Sequence, residues 1–303
     1  MLLAFTASLI LIAVFTGDAL LHFGVELAVG VAISAVVVPM LSERIEGRTM
    51  RAIYILYVMI GFYLLYPIAM GLARSLHAHD ADQALIAIDR AMFSGVDPSF
   101  WMSAHMHPLP WIIEVLQICY STHYLLPLIL TAELALRGRM SQLEEYRLIM
   151  VIGTIVMFVG NILVPTVGPR ITQYEFANLQ WELPGLWLTN SLRSIINSGE
   201  GLRASMTSAE ALKSVYRDAF PSGHTMFTIM TILAAFQFHA RVRWVFVFVG
   251  SGLIAATLLL RYHYVVDVLM GGACALVVVL LAPIVARSIG SLRISQTRPA
   301  ARL

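Results

Sequence analysis

Two histidines carry the chemistry that this sequence can perform. His224 stands in Ala219-Phe220-Pro221-Ser222-Gly223-His224-Thr225, and His263 stands in Arg261-Tyr262-His263-Tyr264-Val265-Val266-Asp267. Asp267 follows His263 at i+4, so on a helix the pair share a face and the carboxylate can hold one ring nitrogen protonated. The other ring nitrogen is then free to act as a nucleophile. Ser222 is placed to cap a helix starting at Gly223, and the unpaired N–H groups of that first turn make an anion site. His224 in the same turn is positioned to protonate a leaving oxygen. A third stretch, Val164-Pro165-Thr166-Val167-Gly168-Pro169-Arg170, ends on a guanidinium whose planar donor fork matches phosphate oxygens. The expected catalytic residues are His263, His224 and Asp267. The expected phosphate-binding groups are Arg170, Ser222 and Gly223, with Arg261 as a further cation.

The elements that must position these groups are membrane helices. Of the 303 residues, 59% are hydrophobic and only 13% are charged, which is a polytopic membrane composition. Eight apolar stretches are candidate spans: about 2–16, 19–41, 52–73, 111–136, 148–166, 223–239, 243–261 and 264–286. Most reach the roughly 20 residues that a hydrocarbon core of about 30 Å requires. Residues 1–16 lack a basic start and a clear cleavage site, and read as a retained span. The two histidine motifs flank an out-and-back pair of spans joined by the basic turn Ala240 to Arg243, so both fall on one membrane face. Arginines set the orientation. Arg44, Arg48, Arg51, Arg137, Arg139, Arg147, Arg241, Arg243, Arg287, Arg293, Arg298 and Arg302 fall on one side of an eight-span chain. The positive-inside rule makes that side cytoplasmic and turns both histidine motifs outward.

The remaining polar features are read more plainly. Net charge is +2 without a basic block, which disfavours nucleic acid as a partner. Cys119 and Cys274 lie in apolar runs and read as small core residues. His77, His79, His105 and His107 form two His-x-His pairs without cysteines or a tight carboxylate set, so they read as loop histidines and no metal is expected. Asp18, His22 and Glu26 share one face of the second span near its outer end. Tyr120, Ser121, Thr122, His123 and Tyr124 form a polar band in the fourth span, for interhelical hydrogen bonding or for lining a cavity. Asp82 to Phe93 has helical spacing and fits an interfacial helix, on which Asp89 and Arg90 read as an ion pair or a solvated face. The segment 167–220 is too long for a structureless loop. It carries Trp181, Trp187 and a capping box, Thr207 with Glu210, opening a helix through Arg217, and reads as a lid or substrate-binding cap.

At these residues a family resemblance appears. Pro221-Ser222-Gly223-His224 and His263-x-x-x-Asp267 resemble the second and third signatures of the type 2 phosphatidic acid phosphatase superfamily. The His263-Tyr264-Val265-Val266-Asp267 form is similar to one branch, the fungal inositol phosphorylceramide synthases and their bacterial relatives; sphingomyelin synthases share a similar string. Pro165-Thr166-x-Gly168-Pro169-Arg170, and Asp89-Arg90 with Phe93 and Asp97-Pro98, resemble that branch too. The similarity covers roughly residues 85–275. It implies that His263 attacks phosphorus and forms a phosphohistidine, that Asp267 orients it, that His224 acts as acid and then base, and that Arg170 steadies the equatorial oxygens. It implies no metal and no other cofactor. Two cations of the superfamily are replaced, by Leu163 and Thr257, so Arg261, Arg217 or Lys213 is expected to supply the missing charge.

The expected fold is all-α and polytopic: about eight transmembrane helices with a six-helix phosphatase-like catalytic bundle. Residues 1–74 are N-terminal transmembrane helices, 75–290 the catalytic domain and 291–303 a cytoplasmic tail. The expected function is a lipid phosphotransferase moving a phospho-head-group such as phosphoinositol between lipids, in a bacterial inner (cell) membrane with the site facing the periplasm or outside. The first alternative is a phosphatase acting on phosphatidate or a polyprenyl diphosphate, with water as acceptor. The second is a transporter using Asp18, His22 and Glu26, which leaves the convergence of phosphate-suited motifs unexplained.

Overall fold

The computed structural model describes residues 66–296. Asp18, His22 and Glu26, the first two expected spans, most of the third and the end of the tail lie outside them. The described residues form thirteen α-helices and one 3-10 turn, with no strand among them. In order they are α1 (Tyr66–Leu76), α2 (Asp82–Met92), α3 (Pro98–His105), α4 (Pro110–Ser121), α5 (Leu125–Leu136) and α6 (Met140–Leu163). The short α7 (Pro169–Thr172), the 3-10 turn Phe176–Asn178 and α8 (Leu179–Glu182) follow, then α9 (Thr189–Gly199) and α10 (Ser208–Ser214). The last three are α11 (Gly223–Gln237), α12 (Arg243–Leu259) and α13 (Val265–Gln296).

Local chemistry fixes several of the starts. Proline at the first helical position opens α3 and α4, where its missing N–H costs nothing. Asp97 caps α3 by accepting from Ser99 N–H at 3.1 Å. The capping box of Thr207 and Glu210 forms and opens α10. That helix ends at Ser214, three residues before the expected Arg217, where Val215 turns extended.

Two packed cores organise the molecule. In the first, α11 lies against α5, α6, α12 and α13, and α1 lies against α6. Tyr146, Phe158, Phe227, Met230 and Leu253 fill it, and Tyr146 bonds Thr231 at 2.8 Å. In the second, the chain from Val167 to Val215 folds over α4 and the end of α12, burying Ile171, Phe176, Leu179 and Leu202 against Ile113, Tyr120 and Tyr262. The segment 167–220 is therefore a packed cap. Its Trp181 and Trp187 stay exposed, as do Phe248 on α12 and Leu280 on α13.

The described residues do not confirm the count of eight spans. Among the described residues two helices, Met140–Leu163 and Val265–Arg287, are long and apolar enough to cross a membrane. The expected fourth span is broken: α4 and α5 meet at 52°, and make a third crossing if the bent pair counts as one. The break falls on Thr122 to Tyr124, where the helical ladder gives way to a turn. Helices α11 and α12 have only 15 and 17 residues, shorter than the stretches expected of them.

Candidate active site

The turn between α12 and α13 presents His263. Its Nδ1 lies 2.9 Å from the Ala219 carbonyl oxygen, which can only accept, so Nδ1 carries the proton. Its Nε2 is then the free nitrogen, and it lies 3.4 Å from His224 Nδ1. Asp267 Oδ2 stands 3.5 Å from His263 Nδ1 and accepts Tyr264 N–H at 2.9 Å. The backbone carbonyl, rather than the carboxylate, makes the close contact to the ring; Asp267 braces the turn that carries it. Burial holds His263 down to about 4, with Arg170 adding to the effect and Asp218 opposing it. The neutral, nucleophilic form therefore prevails at neutral pH.

The first turn of α11 presents His224. Ser222 caps it, accepting Thr225 N–H at 3.3 Å, while Ser222 N–H donates to the Asp267 carbonyl at 3.1 Å. That bond ties the two histidine motifs directly. Close approach of α13 to this turn requires Gly271, where a Cβ would sit 2.5 Å from the Ser222 carbonyl oxygen. Gly223 packs against Met157 on α6.

Arg170 reaches the same place from the loop after α6. Gly168 has φ +97° and lies against the Tyr262 carbonyl, a geometry that only glycine adopts without strain. Arg170 N–H donates to the Arg261 carbonyl at 2.8 Å, docking this loop on the catalytic turn. The buried guanidinium lies 4.6 Å over the Tyr262 ring, bonds Asn197 Oδ1 at 3.2 Å and pairs with Glu200.

Helix α2 supports the Arg170 loop and the His263 turn through two carboxylates. Asp82 accepts the N–H groups of Val167 and Gly168 and the Tyr264 hydroxyl, the last two at 2.9 and 2.8 Å. Asp89 accepts Val265 and Val266 N–H, both at 2.9 Å, and so caps α13. Asp89 is buried, which corrects its reading as half of a solvated ion pair; Arg90 pairs instead with Asp97 at 3.3 Å. Burial raises the carboxyl pKa of both Asp82 and Asp89, and the N–H bonds oppose it.

A cavity of about 430 Å³ opens beside His224, lined by Tyr66, Tyr120, Ser121, His123, Tyr124, Glu200 and Asp218, with an apolar wall from α9. The polar band at the helix break thus lines the cavity. His123 lies tilted against His224 with ring centroids 4.2 Å apart, and Tyr120 stacks on His224 at 4.4 Å. Asp218 accepts the Tyr66 hydroxyl; burial pushes its carboxyl up to about 6, partly offset by His263. Sequence reasoning missed Asp218 and Glu200, which belong to no motif. It also missed Glu114, an isolated acid in the expected fourth span. Glu114 accepts Leu186, Leu188 and Thr189 N–H at 2.8, 2.6 and 3.2 Å, and pins the cap to α4.

The other expected cations are elsewhere. Arg261, at φ +63°, turns its guanidinium to Glu182, Ser103 and the Tyr174 ring, against a separate cavity of about 120 Å³. Arg217 pairs with Asp80 at 3.0 Å, and Lys213 offers its carbonyl to Arg74 at 2.5 Å. His77 lies 2.7 Å from the Ile162 carbonyl and His105 stacks on Trp101.

Comparison with known proteins gives a result at the level of a superfamily. A family model described as the PAP2 superfamily matches residues 83–281, and no curated protein or solved structure matches. The match does not reach the inositol phosphorylceramide synthase branch. It runs from the helix that braces the site to the helix that follows His263, and takes in Arg170 and His224 between them. Spanning well over half of the 303 residues, it shows that this chain belongs to the PAP2 superfamily.

Proposed function

We propose that this chain is an integral-membrane lipid phosphotransferase that works through a phosphohistidine on His263. The observation that carries this reading is the pair of rings: His263 Nε2, freed by the Nδ1 contact to Ala219, lies 3.4 Å from His224 beside Arg170. Superfamily membership supports phosphatase or phosphotransferase chemistry on lipid phosphates. The apolar α9 wall of the cavity favours a lipid substrate.

In this reading His263 Nε2 attacks phosphorus, and the bond from phosphorus to the departing lipid oxygen breaks. His224 gives that oxygen a proton. Arg170 leaves Glu200 for the phosphate oxygens and stabilises their charge. His224 then takes the proton of an acceptor hydroxyl, whose oxygen attacks phosphorus and displaces His263. Ser222 and Gly223 hold the turn and offer its N–H groups. Phosphoinositol is the head group that the branch resemblance implies. The arginine pattern supports an extracytoplasmic site, and the resemblance to bacterial relatives supports a bacterial inner membrane.

The test is a transfer assay in nanodiscs with phosphatidylinositol, phosphatidate or a polyprenyl diphosphate, each labelled on phosphorus, with and without ceramide or diacylglycerol. Label moving into a new lipid only when an acceptor is present is the expected result. Label leaving as free phosphate regardless of acceptor would make water the acceptor. Turnover that survives His263→Ala would end the proposal.

A further inference from the structure

Four arginines are buried among the described residues: Arg170, Arg193, Arg217 and Arg261. Three pair with a carboxylate: Glu200, Asp80 and Glu182 respectively. Arg193, on α9, does not. Its Nε donates to Gln117 Oε1 of α4 at 3.3 Å, and neither terminal nitrogen has a hydrogen-bond partner among the described residues. The surrounding donors are also unmatched. Beyond a loose contact with each other, Gln117 Nε2 and the Tyr262 hydroxyl have no partner there either. A desolvated guanidinium with no carboxylate in hydrogen-bond reach is unfavourable. Burial lowers the Arg193 pKa, with Arg261 adding to the effect and Tyr262 and Glu114 opposing it.

The position of the cluster says what would fill it. The Tyr262 ring holds Arg170 on its face at 4.6 Å and stacks on Tyr120 at 4.0 Å, and Tyr120 stacks on His224. Asn197, one turn along α9 from Arg193, is the residue that accepts from Arg170. Arg193 also borders a cavity of about 100 Å³ with Gln180, Asn190 and Ser194. A second buried cation, paired with no carboxylate, therefore stands near Tyr262 on the face of α9 that borders this smaller cavity.

We propose that Arg193, the Gln117 amide and the Tyr262 hydroxyl form an oxyanion subsite for the phosphate of the lipid head group, supplementing Arg170. This rests on the phosphotransferase reading above. The subsite binds and does no chemistry. The same donors would accept free phosphate or a lipid-borne one, so the test separates the two.

The decisive variant is Gln117→Glu. It sets a carboxylate beside Arg193 and supplies the missing acceptor from within, so the protein should keep or raise its melting midpoint while the subsite is filled. In nanodiscs, KM for the lipid donor should rise about tenfold or more with kcat little changed, the signature of lost ground-state binding. A second readout needs no turnover. In a His263→Ala background, inorganic phosphate and phosphatidate-containing nanodiscs are tested separately for thermal protection. Protection by phosphatidate alone identifies a lipid-borne anion, and protection by both identifies phosphate as such; either should vanish with Gln117→Glu. Arg193→Lys, which keeps the charge and loses the fork, should lie between. If Gln117→Glu and Arg193→Lys match the parent in KM and in protection, the subsite does not exist. If the wild type transfers nothing between lipids but anion protection still depends on Gln117, the phosphotransferase reading fails and the subsite stands.

Discussion

His263 has one nitrogen available for chemistry because a backbone carbonyl holds the other. The sequence showed the histidines and the acid at i+4, since both are side-chain patterns. It could not show Ala219, because the position of a carbonyl oxygen is not written in residue type. It likewise left Asp218 and Glu200 out of the site, since the fold alone brings them to the cavity beside His224, and it offered His123 as a cavity-lining group only as one of two readings. The sign of the pH effect follows from burial. A histidine held down to about 4 stays neutral through the range in which a free one titrates near 6.5, and gains its proton only below about 4. kcat/KM should therefore hold between pH 6.5 and 5 and fall as pH drops through about 4. Asp218, whose carboxyl is pushed up to about 6, titrates within that plateau, so the profile is best measured in Asp218→Asn as well. An acid limb at 6.5 in both proteins would contradict the assignment.

At the scale of elements, α2 is the brace. Asp82 and Asp89 lie two turns apart on one face and hold backbone N–H groups of the Arg170 loop and of α13. The helical spacing of this stretch was legible from Asp82 onward. Its role was not, because its partners lie 85 and 176 residues away in the chain. Asp89→Ala should lower stability by about 1–2 kcal/mol, the range for a lost helix cap, and reduce kcat by loosening the turn that carries His263. Arg90→Ala, which removes an exposed ion pair with Asp97, should cost no more than about 0.5 kcal/mol. Thermal melts and initial rates of the two variants check this contrast; equal losses would show that α2 acts only as filler.

Across the whole molecule, hydropathy located helices well and misjudged their lengths. A window sees apolar residues, not the hydrogen-bond ladder, so the run through Tyr120–Tyr124 passed as one span although the ladder breaks there. The arrangement that results is a helical bundle under a packed cap, with Glu114 joining them and the reactive cavity between. What this arrangement is for can be tested in a single labelling experiment. The protein in nanodiscs is mixed briefly with a lipid donor carrying radiolabelled phosphorus, quenched in alkali, and digested. The account expects an acid-labile, alkali-stable label on the peptide containing His263, lost in His263→Ala and chased into product by added acceptor. Full turnover without any such label, or label on a different residue, would contradict it.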